Sequence, residues 1–195
     1  MDISLKRFYD QLYAAKPGIF GDSSRAWLER VTNITPLGGG TALDIGAGEG
    51  GASRLLAALG YAVDAVDLSE VALSALRDER IRIHPVSITD FSFTRAYDLV
   101  HIALVAHHIP AEAFASVIGQ AQTHTNAGGI HILRIFTRQS DFFRQSDGTT
   151  FFDDGANLDT AYRGWTILAD ERVTSSASAE TATNEIRQVA FQAPK

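Results

Sequence analysis

Apolar positions along the chain follow two rhythms. Up to residue 40 they recur at helical spacing: Leu5, Phe8, Tyr9, Leu12 and Tyr13 share one face before Pro17-Gly18 breaks the run. A second short helix is expected from Ser23 to Thr32, with Trp27, Leu28 and Val31 on its apolar side. From Thr41 short apolar runs bounded by turn residues take over. They predict strands at Thr41 to Ile45, Tyr61 to Val66, Ile81 to Val86, Tyr97 to Leu104 and Gly129 to Phe136. Helices are expected between them at Ala52 to Leu59 (closed by Gly60), at Ser69 to Arg77 (with Ser69 as N-cap) and at Ala111 to His124. Pro85 cannot donate to a strand ladder, so the third strand is expected at a sheet edge.

Strand–helix–strand alternation with short connections implies a parallel sheet with right-handed crossovers. The end of the chain breaks that rhythm. After a short helix at Asn157 to Arg163, the stretches Trp165 to Thr174 and Asn184 to Gln192 read as strands joined by a Ser/Ala/Thr-rich turn. With no helix between them they should pair antiparallel. The expected fold class is α/β, with a mostly parallel seven-stranded sheet ending in an antiparallel hairpin. The 195 residues suit one domain. It divides into an N-terminal helical cap (1–40), a core (41–136) and a substrate-side loop with the C-terminal hairpin (137–195).

The stretch Asp44-Ile45-Gly46-Ala47-Gly48-Glu49-Gly50-Gly51 joins the first strand to a helix. Glycines there allow a sharp turn and close approach of the backbone to a ligand, and the helix N-terminus favours a negative ligand group. Asp67 closes the second strand about 20 residues on, where a carboxylate can accept from both hydroxyls of a ribose. Gly46, Gly48 and Gly51 also fit the G-x-G-x-x-G of dinucleotide-binding folds, so a nicotinamide cofactor is one reading. Three features favour another. Asp44 stands where such folds usually carry an apolar residue, and suits a ligand with ammonium and sulfonium charges. Asp90 and Phe91 follow the third strand, where an acid can accept from an adenine amino group and a ring can pack on the base. The antiparallel pair does not belong to the usual doubly wound dinucleotide fold. Each acid also has a local alternative: Asp44 orienting the turn by backbone hydrogen bonds, Asp67 capping the next helix, Asp90 as a turn residue.

Ala42-Leu43-Asp44-Ile45-Gly46-Ala47-Gly48-Glu49-Gly50, followed by Gly60 to Ser69, resembles class I S-adenosylmethionine-dependent methyltransferases. Tyr97-Asp98-Leu99-Val100 is similar to their fourth strand, and Ala127-Gly128-Gly129 to the approach to their fifth. A narrower likeness, through Phe151-Phe152-Asp153, Leu158 and Tyr162-Arg163-Gly164-Trp165, is to the small tellurite-resistance type. The resemblance implies a Rossmann-like three-layer sandwich with the last strand between the fifth and sixth, and S-adenosylmethionine as cofactor. It implies that Asp44, Gly46, Ala47, Gly48 and Gly50 hold the methionine part, Asp67 and Leu68 the ribose and adenine edge, and Asp90 and Phe91 the adenine. The backbone from Ala103 to His107 would lie beside the methyl group. Members of the narrower group carry a His-Arg pair near the last hairpin. This chain reads Thr174 to Glu180 there with neither, so the resemblance does not extend to an oxyanion acceptor.

Methyl transfer asks the protein for alignment and exclusion of water, and for a base only when the acceptor arrives protonated. His107 and His108 end the fourth strand, where open α/β sheets bind ligands; His107 is the candidate base or orienting residue. The alternative is a loop-capping role. Tyr9, Tyr13 and Phe20 from the cap, and Phe142, Phe143, Phe151 and Phe152 after the fifth strand, are candidates to wall the acceptor site, or ordinary core beneath a long loop. Arg134, Arg138 and Arg144 either read an acidic group or pair with Asp141, Asp153 and Asp154.

Charge and composition narrow the partners. The net charge of −6, with lysine only at Lys6, Lys16 and Lys195, argues against a nucleic-acid partner and for a small-molecule methyl acceptor. Absence of cysteine excludes thiolate metal sites and cysteine nucleophiles. The six histidines lie between His84 and His131, but no helix-spaced pair with a carboxylate appears, so no metal is expected. No apolar run reaches the roughly 18 residues of a membrane span, and the expected location is the cytoplasm. A nicotinamide oxidoreductase and a non-catalytic cofactor-binding module are the competing functions. Oligomeric state is not legible.

Overall fold

A computed structural model describes residues 3–21, 24–34, 38–176 and 183–195. Ser23, and Ala177 to Glu180 of the hairpin turn, lie outside the described residues. Two helices, α1 (Ile3–Ala15) and α2 (Arg25–Ile34), precede the sheet. Then come β1 (Gly40–Ile45), α3 (Gly51–Ala58), β2 (Tyr61–Asp67), α4 (Glu70–Leu73), β3 (Ile81–Pro85) and β4 (Tyr97–Ala103). A single 3₁₀ turn at Ala106–His108 leads into α5 (Ala111–Thr123) and β5 (Thr125–Phe136). The short helices α6 (Asp141–Gln145) and α7 (Asn157–Ala161) and the strands β6 (Thr166–Ser176) and β7 (Thr183–Gln192) complete the order.

The sheet runs β3-β2-β1-β4-β5-β7-β6. The first five strands in that order are parallel, and β7 is antiparallel to both β5 and β6. As expected, Pro85 lies on an edge strand and the last strand sits between the fifth and sixth. Helices cover both faces, which is why the central strands read as nearly unbroken apolar runs. On one face Leu43, Ile45, Val66, Val100, Ile102, Leu133 and Ile135 pack against Phe114, Val117 and Ile118 of α5. On the other, Ala42, Val63, Leu99, Ile130 and Ile132 pack against Trp27, Leu28 and Val31 of α2 and Leu56 and Ala57 of α3. Each fully buried Leu or Ile contributes about 1.5–3 kcal/mol. No described helix is long and apolar enough to cross a membrane.

Two expected boundaries shift by more than two residues. The helix read over Ser69 to Arg77 shortens to α4, although Ser69 caps it as expected, its Oγ accepting from the Ala72 N–H at 3.2 Å. Beyond Leu73 the backbone tightens to three-residue bonds (Ala75 N–H to Ala72 O, Leu76 N–H to Leu73 O). This turns Leu76 inward to join Ala47, Ala65 and Leu73 in a small cluster beneath the glycine turn. The fifth strand begins at Thr125 instead of Gly129, because Thr125 already pairs with Tyr97 before an irregularity in the ladder.

Candidate functional site

β1 pairs with β2 on one side and with β4 on the other, so the strand order reverses at its carboxyl end, the place where open α/β sheets bind ligands. The glycine turn sits there. Gly46 and Gly48 have φ of +74° and +53°, in the left-handed region. A Cβ on Gly46 would lie 2.8 Å from Val105 Cβ, and one on Gly48 would lie 2.9 Å from the Tyr13 hydroxyl. Bare backbone is therefore required at both positions. Just past β4, Leu104 also has a positive φ, 52°, which a leucine adopts only under constraint. Its N–H donates to Arg134 O, and the bend sets Val105 against Gly46.

Two carboxylates attend the turn. Asp67 Oδ2 accepts from the Gly48 N–H and Oδ1 from the Ser69 N–H, both at 2.8 Å. Burial pushes its carboxyl upward in pKa against those two stabilising amides. Asp44 is 1% exposed. Its Oδ2 accepts from Ser53 Oγ at 2.6 Å, and its Oδ1 lies 2.8 Å from His101 Nδ1. Among the described residues its partners are these side chains of α3 and β4, not the turn amides. Leu68 and Ala103 are half-buried at their strand ends. Asp90 is exposed, while Phe91 is buried in the core, its ring edge-on to His84 and Phe93 at 5.2 Å each.

α1 lies across this region as a cap. Asp10 accepts from Ser69 Oγ at 2.7 Å, and the Gly18 N–H reaches both carboxylate oxygens of Glu49 at 2.8 and 2.9 Å. The phenols of Tyr9 and Tyr13 are raised in pKa by burial and then by the negative charge of Asp67, Tyr9 to about 12. Phe20 packs edge-on to Tyr13 at 5.8 Å.

From Tyr9 an aromatic path runs to the loop after β5. The Tyr9 hydroxyl shares a 2.6 Å hydrogen bond with His108 Nε2. The His108 and His107 rings are 3.8 Å apart. His107 stacks on Phe142 at 5.6 Å and meets Phe136 edge-on at 4.8 Å, with Phe152 at 6.3 Å. Burial lowers His107 to about 3 and His108 to about 4, so both rings are uncharged at neutral pH. His107 Nδ1 is buried with no hydrogen-bond partner among the described residues. Phe143 meets Phe152 edge-on at 5.3 Å, with the Arg138 guanidinium 5.7 Å from its ring.

The turn residues, Asp67, Tyr9, Tyr13, His108, His107 and Phe142 thus form one continuous surface, whereas Phe91 packs into the core beside His84 and Phe93. The arginines find partners: Arg138 with Asp154, Arg144 with Asp141, and Arg134 with Gln188 and Ser24. Asp153 instead meets the buried Arg187 at 3.5 Å. Sequence reading missed Ser53, the left-handed backbone within the Ala103–His107 stretch, at Leu104, and His101. A histidine inside an otherwise apolar strand was a signal for the last of these.

The family model described as Tellurite resistance protein TehB matches residues 8–191. Among curated proteins, hemagglutinin 1 of Eikenella corrodens is 25% identical over 170 residues, 84% of this chain and 55% of that protein. The chain therefore spans about half the length of that relative. The solved N-methyltransferase NodS of Bradyrhizobium japonicum, in complex with S-adenosylhomocysteine, is similar with a TM-score of 0.74 at 15% identity, covering 94% of this chain and 92% of that one. TehB of Haemophilus influenzae is similar at 0.71 and 19% identity, covering 96% and 66%. The 1,6-didemethyltoxoflavin-N1-methyltransferase of Burkholderia thailandensis is similar at 0.69 and 15% identity, covering 97% and 86%.

Proposed function

Since the chain belongs to the tellurite resistance protein TehB family of class I S-adenosylmethionine-dependent methyltransferases, we propose that it transfers a methyl group from that cofactor to a small-molecule acceptor in the cytoplasm. The observation that carries the reading is the 2.8 Å contact between Asp67 and the Gly48 N–H. It joins the ribose-reading carboxylate to a turn of left-handed glycines seated against Val105 and Tyr13.

The residues fit the cofactor. Gly46, Ala47, Gly48 and Gly50 hold its methionine part, with the Asp44 charge beneath. Asp67 and Leu68 take the ribose and adenine edge, and Asp90 and Phe91 flank the adenine. Ala103 and the bent backbone at Leu104 lie beside the transferable methyl. Bound there, the cofactor supplies an electrophilic methyl on a sulfonium for in-line displacement. The protein's own contribution is alignment and exclusion of water. Tyr9 and Tyr13 close the cap side, while Phe136, Phe142, Phe143 and Phe152 close the other. His107, uncharged and with a buried nitrogen unpartnered among the described residues, orients the acceptor; His108 and Tyr9 bound the acceptor's other side.

A small acceptor is supported by the acidic balance of the chain and by neighbours whose names specify N-methylation, one of them of a small heterocycle. Titration calorimetry with S-adenosylhomocysteine and with NAD tests the cofactor. The homocysteine derivative should bind, and Asp67→Ala should weaken it at least tenfold. Binding of NAD alone would overturn the reading.

A further inference from the structure

Two carboxylates are buried in neighbouring strands of the sheet, and their surroundings differ. Asp64 in β2 meets the Arg95 guanidinium at 2.7 Å, together with His84 Nε2 and the Tyr97 hydroxyl. A full positive charge offsets its own. Asp44 in β1 has only the Ser53 hydroxyl and the His101 ring among the described residues, and no cationic Lys or Arg. Burying a carboxylate without a paired cation is costly, so such a group is expected where something else supplies positive charge.

The register explains how the contact arises. Asp44 and His101 are cross-strand partners in the parallel β1–β4 ladder, and Ser53 lies in the first turn of α3. The chain Ser53–Asp44–His101 therefore ties together the three elements that meet at the glycine turn. His101 is 2% exposed among Ala42, Leu99, Ile130 and Ile132. A phenylalanine would fill that place without stranding a ring nitrogen. His101 Nε2 is buried with no partner among the described residues, at a cost of about 1–3 kcal/mol. What the histidine gains in exchange is the Nδ1–H that a carboxylate accepts.

We propose that His101 is a positioning residue for cofactor binding: through Nδ1 it fixes the Asp44 carboxylate under the glycine turn, so that its charge meets the ammonium end of the bound methionine moiety. The inference rests on the methyl-donor reading above.

Atom-by-atom replacement tests it on the full chain. An asparagine amide can stand in for Nδ1, a glutamine amide for Nε2, and a phenylalanine for the ring alone. By calorimetry with S-adenosylhomocysteine, His101→Asn should stay within about threefold of the unaltered protein, while His101→Gln and His101→Phe weaken binding at least tenfold. Thermal unfolding of each variant separates lost affinity from lost fold. Ser53→Ala, which removes the other hold on Asp44, should weaken binding severalfold and keep the argument testable should the His101 variants misfold. In the unaltered protein, saturating ligand should move the ¹⁵N resonances of the His101 ring. Full affinity in folded His101→Phe, equal loss in the Asn and Gln variants, or ring resonances indifferent to ligand would each overturn the proposal. Absence of binding by the unaltered protein would instead remove the donor reading itself, and this inference with it.

Discussion

His131 and His107 belong to adjacent strands of the sheet, one within β5 and the other just past the end of β4, and their surroundings differ. His131, in β5, is fully buried, with Nε2 bonded to Thr125 Oγ1 at 2.8 Å and Nδ1 to the Tyr162 hydroxyl at 2.7 Å. Trp165 covers its ring at 4.7 Å, and Tyr162 stacks on Phe191 at 4.1 Å. His107, just past β4, is lowered in pKa to about the same value of 3 by the same cause, burial. Yet it keeps a buried nitrogen unbonded among the described residues, beside a second uncharged imidazole. Depressed basicity alone does not mark a working histidine. The distinction lies in whether the ring's hydrogen bonds are already made by the protein, and in whether the ring stands at the carboxyl end of the strands.

The largest effect on stability that can probe this contrast is acid sensitivity. Unfolded histidine titrates near 6.5, whereas folded His107, His108 and His131 hold off protons until about 3 to 4. The unfolded chain therefore binds more protons between those values. Stability is full above pH 6.5 and falls as pH drops, by about 1.4 kcal/mol per pH unit for each ring. Urea unfolding at pH 7.5 and 5 should show His131→Phe losing about 2 kcal/mol less than the unaltered protein. The subtraction cancels the carboxylates, and an equal loss would show that His131 does not titrate in this window.

In turnover, His107→Ala should cost about 10²-fold with an acceptor found by screening with labelled methyl donor, with urea stability changed by less than about 1 kcal/mol. Retained turnover would return His107 to a loop-capping role. Tyr162→Phe strands His131 Nδ1 and should cost about 1–3 kcal/mol in urea while leaving S-adenosylhomocysteine affinity unchanged. A drop in affinity would mean that the two histidine environments are coupled. The smallest effect belongs to Tyr9→Phe. Loss of one hydrogen bond to His108 costs about 0.5–1.5 kcal/mol, read as a severalfold rise in acceptor KM.

The sequence made the scaffold readable because its signals are local. Thr41 to Ile45 announces a strand by its own composition, Gly46 to Gly51 a turn, and Pro85 an edge. The hairpin's insertion beside β5 came from resemblance. The site was readable where it is built from glycines and strand-end acids. It was unreadable where it depends on register. Nothing near Asp44 announces that His101, 57 positions on, becomes its partner; the parallel ladder decides that. Leu104 carries no local sign of a left-handed backbone, since leucine avoids it, and the conformation is imposed by Arg134 O and by Val105 seated against Gly46. The contraction of α4 likewise follows from where Leu76 must pack, which helix propensity cannot report.

The strand order carries a consequence for how the chain reaches this shape. β6 is synthesised before β7, yet its place on the sheet is given by β7, which alone bridges it to β5. During synthesis, a nascent chain ending just after β6 has five strands ready to assemble and a sixth with no berth. Closure of that half waits for β7, and until it emerges the flank of β5 stays open to mispairing.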